Sequence, residues 1–213
     1  MKQVIENAIE YVKDFFSNNE SSHDYFHTMR VYENAKHILK YENANRDIVL
    51  LASLLHDVDD YKISPNTYKS MENAKTFLRT NNVKEEDITL ICEIINDVSF
   101  KGTDTKTPNT IEGKIVQDAD RLDALGAIGI ARALTYGGSK NRVLYDPNIL
   151  PSLNMQEDEY RNHVSTTINH FYEKLFKLKY LMNTDRAKKI AKKRDKYMRK
   201  YINKFINEWS GIE

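Results

Sequence analysis

The densest chemistry in the chain lies in Leu50–Tyr61, L-L-A-S-L-L-H-D-V-D-D-Y. An apolar run ends there in His56-Asp57, and Asp59 and Asp60 follow at once. Desolvating an imidazole or a carboxylate without a partner costs several kcal/mol, so such groups pair or hold a cation. His56 and Asp57 are therefore read as two ligands of a metal ion. Adjacent helical residues point about 100° apart, so both reach one ion only if it lies between their directions. His23 and His27, four residues apart, share one face of a predicted helix and offer further imidazoles. A lone histidine in that setting is more often packed or solvated, and it is the His-Asp pair that turns His27 into a candidate ligand. The later stretch Q-D-A-D-R-L-D (Gln117–Asp123) offers Asp118, Asp120 and Asp123 as a carboxylate from a distant helix. Asp118 and Asp120 flank Ala119 on opposite edges of an apolar stripe, and spacing alone does not choose between them.

The elements that must position these groups are all helical. Apolar residues recur at helical spacing over 2–17, about 23–41, about 46–58, 68–80 and 84–98. The 46–58 segment is apolar nearly all round, which predicts a central buried helix. Ile111, Ile115, Ala119, Leu122 and Gly126 trace another stripe. It continues helically through Ala127–Tyr136 to a stop at Gly137-Gly138. The 139–154 stretch, with Pro147 and Pro151, is irregular. Two long helices are expected over 156–182 and 185–208, with Asn183-Thr184 as stop and cap. No strand, repeat or low-complexity tract is evident. The expected fold class is all-α, a single-domain helical bundle over 1–213. Its metal-site core spans about 23–138, and C-terminal helices over about 156–209 pack on it.

Composition narrows the classes further. Seven glycines and four prolines in 213 residues favour helices over turn-rich sheets. A formal net charge of +1 argues for no partner on bulk electrostatics. One cysteine, Cys92, excludes an intramolecular disulfide and a thiolate metal site, and fits a cytoplasmic, reducing location. The N-terminal M-K-Q-V-I-E-N-A-I-E carries charges inside its apolar pattern, unlike a signal peptide. No apolar run approaches the ~20 residues of a membrane span.

One histidine, a His-Asp pair and a later aspartate, in that order, resemble the signature of the HD-domain phosphohydrolases. Here they stand as H-T-M-R-V (His27–Val31), L-L-H-D-V (Leu54–Val58) and D-A-D-R-L-D (Asp118–Asp123). S-F-K-G (Ser99–Gly102), a long helix over 119–138 and H-F-Y-E-K-L (His170–Leu175) are similar to the small bacterial subgroup to which nucleotide pyrophosphohydrolase activity is ascribed. The resemblance implies an all-helical bundle and the ligand set His27, His56, Asp57 and Asp120, the last because it fills the A-D-R-L slot. Two-metal members carry further histidines after the His-Asp pair. Only His163 and His170 remain downstream here, so a single ion is expected. Mixed imidazole and carboxylate ligation suits Mn²⁺, the favoured ion, or Ni²⁺, Co²⁺, Fe²⁺ or Zn²⁺. Asp60 lies four residues after His56, and the family pattern implies a general acid/base at that position. His23 is a candidate for contacting substrate phosphate or the leaving group.

The substrate so implied is a nucleotide, split by a metal-activated water, as a triphosphate releasing nucleoside monophosphate and pyrophosphate. The alternatives are a 5′-nucleotidase or phosphodiesterase on the same site, or a non-catalytic metal- and nucleotide-binding regulator. A polyphosphate needs cations, and Arg30 and Lys101 rank ahead of Lys140 and Arg142 as its ligands. The basic C-terminal helix reads as a solvated face over a stripe of Ile190, Tyr197, Tyr201, Phe205 and Trp209. That reading argues against nucleic acid or membrane as partner and leaves homo-oligomerisation open.

Overall fold

The computed structural model describes residues 1–17 and 24–212, apart from the side chain of Arg161. His23 lies outside the described residues. Among those described there is no strand, and the fold is all-α. By their contacts the residues divide into two compact units, Met1–Ser99 with Lys106–Asp120, and Phe100–Thr105 with Arg121–Glu213.

The first unit is built on α1 (Lys2–Phe15), α2 (Tyr25–Ile38), α3 (Arg46–Leu55), α4 (Glu72–Thr80), α5 (Glu85–Val98) and most of α6 (Ile111–Asp123). Its centre is α3. Asn45 caps it, accepting from the amides of Asp47 at 3.1 Å and Ile48 at 3.4 Å. Every residue from Ile48 to Leu55 is buried, with α1, α2 and α5 packed around them. Each large aliphatic side chain buried this way contributes about 1.5–3 kcal/mol. The helix is shorter than its apolar pattern predicts. It ends at Leu55, and the chain continues as tight turns, Val58 N–H to Leu55 at 3.3 Å and Asp60 N–H to Asp57 at 3.1 Å. The reason lies in the next element. The Asp59 carboxylate turns away to accept from the amides of Asn73 (3.2 Å) and Ala74 (2.9 Å), capping α4 from a distance in sequence. Residue Met71 stands left-handed (φ 54°) before that helix, so α4 starts at Glu72 rather than Tyr68.

The second unit departs further from the periodicity. The predicted continuity from 119 to 138 breaks at Ala124-Leu125, between α6 and α7 (Gly126–Ser139). Gly126 takes φ +77°, and a Cβ there would sit 3.1 Å from the Arg194 side chain. Helix α7 runs through the Gly137-Gly138 pair and ends one residue later, at Ser139, with the Lys140 amide donating back to Gly137. Gly137 also admits Thr167, whose Oγ1 would lie 2.1 Å from an added Cβ. The helix expected over 156–182 is several pieces. They are α8 (Glu157–Asn162), a π-helical turn Phe171–Leu175, α9 (Phe176–Leu178) and a 3₁₀ turn Lys179–Leu181. The break follows from backbone pairing, since Thr167 and Ile168 donate to Val143 and Leu144 at 2.9 and 3.0 Å.

The last helix, α10 (Asp185–Trp209), is capped by Thr184 as expected. Its buried stripe is Ala187, Ala191, Asp195, Met198 and Ile202, rotated from the aromatic stripe read from sequence. Tyr197 and Trp209 are exposed. Small residues and Met198 face inward against α7, and Asp195 is held there by Lys179 at 2.5 Å and Arg199 at 3.0 Å.

Candidate metal centre

Four of the predicted groups meet within the first unit. Nε2 of His27 and Nε2 of His56 are 3.3 Å apart. The Asp57 Oδ2 lies 3.3 Å from the first and 3.2 Å from the second. The Asp120 Oδ1 lies 3.4 Å from His27 Nε2 and 4.0 Å from His56 Nε2. Metal–ligand bonds of about 2.1 Å put neighbouring donors of a six-coordinate ion about 3 Å apart, so one divalent ion suits these separations. His27, His56 and Asp57 are buried, and they form the metal-compatible cluster found among the described residues.

Local devices orient the two imidazoles. The Asp24 carboxylate accepts from the His27 amide at 2.6 Å and caps α2, which seats His27 in that helix's first turn. His56 Nδ1 lies 2.9 Å from the carbonyl oxygen of Ser53. It donates there, which leaves the Nε2 lone pair facing the cluster. Two imidazole nitrogens that face each other beside two carboxylates want a shared proton or a cation. The charges register this. Burial pushes the His56 pKa down, but the charge and hydrogen bond of Asp57, with help from Asp120, outweigh it and hold the value above the ordinary one. For Asp120, burial pushes upward, while the hydrogen bond from His27 and the two imidazole charges win and hold it below.

Asp120 comes from α6, and the side chains that dock this helix were not singled out in the sequence. Asn34 Nδ2 on α2 donates to the Ala119 carbonyl at 3.2 Å, one residue from the ligand. Gln117 Nε2 donates to the carbonyls of Asp97 at 2.7 Å and Lys106 at 2.9 Å. Glu112 Oε1 accepts from the Asn45 amide at 2.8 Å, joining the starts of α6 and α3. Buried Gln117 in an apolar helix stripe was the one readable signal for such a role. Asp118 is fully buried and Asp120 partly open, so the two neighbours of Ala119 do differ in setting. Asp123 pairs with Arg132 at 2.7 Å in the second unit.

The remaining predicted residues are distributed more widely. The Asp60 carboxylate accepts from the Lys62 amide at 2.9 Å, which is turn chemistry, and Asp60 is half-buried. Arg30 sits on α2 one turn after His27, half-buried. Lys101, Lys140 and Arg142 belong to the second unit. Lys140 and Arg142 both lie over the Tyr136 ring, at 5.9 and 5.4 Å. Arg121 donates to the Leu181 carbonyl. No helix is long and apolar enough to cross a membrane, among the described residues.

An HD-domain family model matches residues 24–125, the segment that carries all four clustered groups. The chain is 37% identical to YpgQ of Bacillus subtilis, over 86% of this chain and 83% of YpgQ. A solved structure of YpgQ in complex with ADP superposes with a TM-score of 0.75 at 32% identity, covering 98% of this chain and 100% of that one. An HD-superfamily hydrolase from Bacillus thuringiensis is 41% identical with a TM-score of 0.76, covering 98% of both chains. A Lactobacillus plantarum protein reaches a TM-score of 0.89 at 39% identity, covering 99% of both. Alike in sequence and fold to these proteins over most of its length, the chain belongs to the HD-domain metal-dependent phosphohydrolases, in the YpgQ-like subgroup.

Proposed function

We propose that the protein is a nucleoside triphosphate pyrophosphohydrolase, cutting between the α and β phosphates to release nucleoside monophosphate and pyrophosphate. The observation that carries the reading is the convergence of two Nε2 atoms and two carboxylates, separated by 3.2–4.0 Å, from α2, the end of α3 and α6. The ADP held by YpgQ supports a nucleotide as substrate. His27, His56, Asp57 and Asp120 hold one divalent ion, with Mn²⁺ favoured by mixed nitrogen and oxygen donors. When bound, such an ion supplies a Lewis acid for a phosphoryl oxygen and lowers the pKa of a water.

The chain's own groups do the rest. The Ser53 carbonyl keeps the His56 proton on Nδ1, so Nε2 stays a ligand through the reaction. Asp60 takes the proton of the attacking water, which requires its turn hydrogen bond to Lys62 to leave one carboxylate oxygen for that work. Arg30 holds a phosphate oxygen pair through its planar guanidinium. Lys101, Lys140 and Arg142 are further phosphate ligands in this reading, and His23 serves the leaving group. The deciding experiment is turnover of a nucleotide panel with several divalent metals, with the phosphate products identified. Pyrophosphate from triphosphates is expected. Orthophosphate from monophosphates would replace the reading with a 5′-nucleotidase, and no turnover with any metal would replace it with a non-catalytic regulator.

A further inference from the structure

The second unit contains a cavity of about 210 Å³ that the metal cluster does not use. One wall is aromatic. Phe100 and Tyr160 meet edge to face, with centroids 5.2 Å apart. The polar lining is unusual for so small a space, since it includes Glu173, Lys177 and Asn154. Glu173 is only 4% exposed. Its Oε1 accepts from the Ser152 amide at 3.2 Å and lies 3.1 Å from His163 Nε2, so the carboxylate is held in one orientation.

Backbone irregularity brings Glu173 there. It lies in the π-helical turn Phe171–Leu175, and such turns shift side chains off the regular helical face, often at functional positions. Backbone contacts also fix the part of the lining at Gly102 and Met155. Gly102 takes φ +59° and packs so closely that an added Cβ would lie 2.3 Å from the Met155 carbonyl oxygen. The amide of Thr103 donates to that same oxygen at 3.0 Å.

The lining also says what fits. The Lys174 ammonium is already engaged with the Phe100 and Tyr160 rings at 5.1 and 5.9 Å, and Glu173 and Lys177 bring opposite charges to the lining of one small space, so a strongly charged ligand gains little. One group accepts hydrogen bonds and the other donates, while Asn154 does both. Lys177 spends one donor on the Leu153 carbonyl and keeps others for a ligand. Drug-sized ligands occupy about 300–1,000 Å³, so this space suits a single ring system. Aromatic side chains that offer a stacking surface, next to polar groups that read a donor–acceptor edge, are the means by which proteins hold unpaired bases.

We propose that this cavity is a binding pocket for a nucleobase, a flat, neutral ring recognised through adjacent hydrogen-bond donor and acceptor atoms. Glu173 accepts from a ring or exocyclic N–H, Lys177 and Asn154 meet the neighbouring acceptor, and Phe100 or Tyr160 covers part of the ring. The inference is read without turnover, so it stands or falls apart from the reaction proposed above.

The test is calorimetric titration of the full chain with adenosine, guanosine, cytidine and uridine, and with their 5′-monophosphates. At least one nucleoside is expected to bind, one per chain, showing that the base and not the phosphate carries recognition. Leu181 lines the cavity and is itself 37% exposed, so Leu181→Trp adds bulk to the space at a position open to solvent. This variant and Glu173→Gln should each weaken that nucleoside about tenfold or more, the value of one good base-edge contact, with circular dichroism unchanged. A His56→Ala variant, which disables the metal cluster, should bind the nucleoside as the wild type does. The proposal is overturned if no nucleoside binds, if only the monophosphates bind, if Leu181→Trp binds as tightly as wild type, or if His56→Ala abolishes nucleoside binding. Loss of nucleotide turnover with nucleoside binding retained would overturn only the proposed reaction.

Discussion

Asp57 in the first unit and Asp195 in the second are almost equally buried, at 5% and 3% exposure, yet they meet different partners. Asp195 faces the Lys179 ammonium at 2.5 Å and the Arg199 guanidinium at 3.0 Å. Asp57 and Asp120 face the imidazoles of His27 and His56, groups that carry charge only when protonated. A carboxylate met by lysine and arginine is complete as a structural element. Carboxylates converging with unprotonated imidazoles are complete only with a proton or a metal ion between them. The difference separates buried charge that holds the fold from buried charge that is kept for chemistry.

The largest test removes a ligand. Asp57→Ala or His56→Ala should lose bound metal by elemental analysis and reduce turnover by more than the roughly 10–100-fold that loss of an outer hydrogen-bond partner costs. Retained metal in either variant would break the comparison at once. Metal addition then measures the gap from the other side. At about 100 times its dissociation constant, Mn²⁺ should stabilise the wild type by about 2.7 kcal/mol, read as a rise in melting temperature. Asp195→Asn should keep this response, while Asp57→Ala should lose it.

Asp195→Asn should itself cost about 1–3 kcal/mol in urea unfolding, less than a fully buried pair because Lys179 and Arg199 are partly exposed. Asn34→Ala, which frees the Ala119 carbonyl beside Asp120, should weaken metal binding toward the lower end of that 10–100-fold range. Equal binding would mean that α6 is held by Gln117 and Glu112 alone.

The pH dependence carries a definite sign. The His56 pKa is raised above 6.5 in the folded, metal-free chain. Its stabilising contribution is full below that unfolded value and is lost as pH rises through the folded value. A metal ion must displace the same proton, so metal affinity should fall as pH drops and rise to a plateau once His56 is neutral. Melting curves with and without metal should therefore respond to pH in opposite directions. Cys92 gives the smallest effect. Burial first, and then the charge of Asp59 among its neighbours, push its thiol pKa up. A thiol reagent should therefore label it slowly until the chain unfolds.

How much was legible follows from where regular helix carries the chemistry. The all-α class, α3 as the buried centre and the cap Thr184 were readable, because caps and apolar stripes are local features. His27, His56, Asp57 and Asp120 were legible as an ordered set, while their meeting in space was not. Asn34, Gln117 and Glu112 escaped notice because each acts on a backbone group 20 or more residues away, save for Gln117's bond to Lys106. The long helix expected over 156–182 failed for a physical reason. Periodicity reports which residues prefer burial, but it cannot register a competing backbone partner such as Val143–Leu144, nor a π-helical turn that keeps the same apolar side chains inside.

The amino-acid sequence by itself determined that helices would form, that one of them would be buried on every side, and that histidines and aspartates stood at the ends of apolar runs. Tertiary structure alone decided that α3 stops at Leu55 and that Asp120 approaches the two imidazoles. It also decided that Glu173 lines a cavity while Asp195 is locked to two cations. Propensity and capping act within a few residues, whereas the pairing of buried charges depends on which distant chain segment arrives beside them.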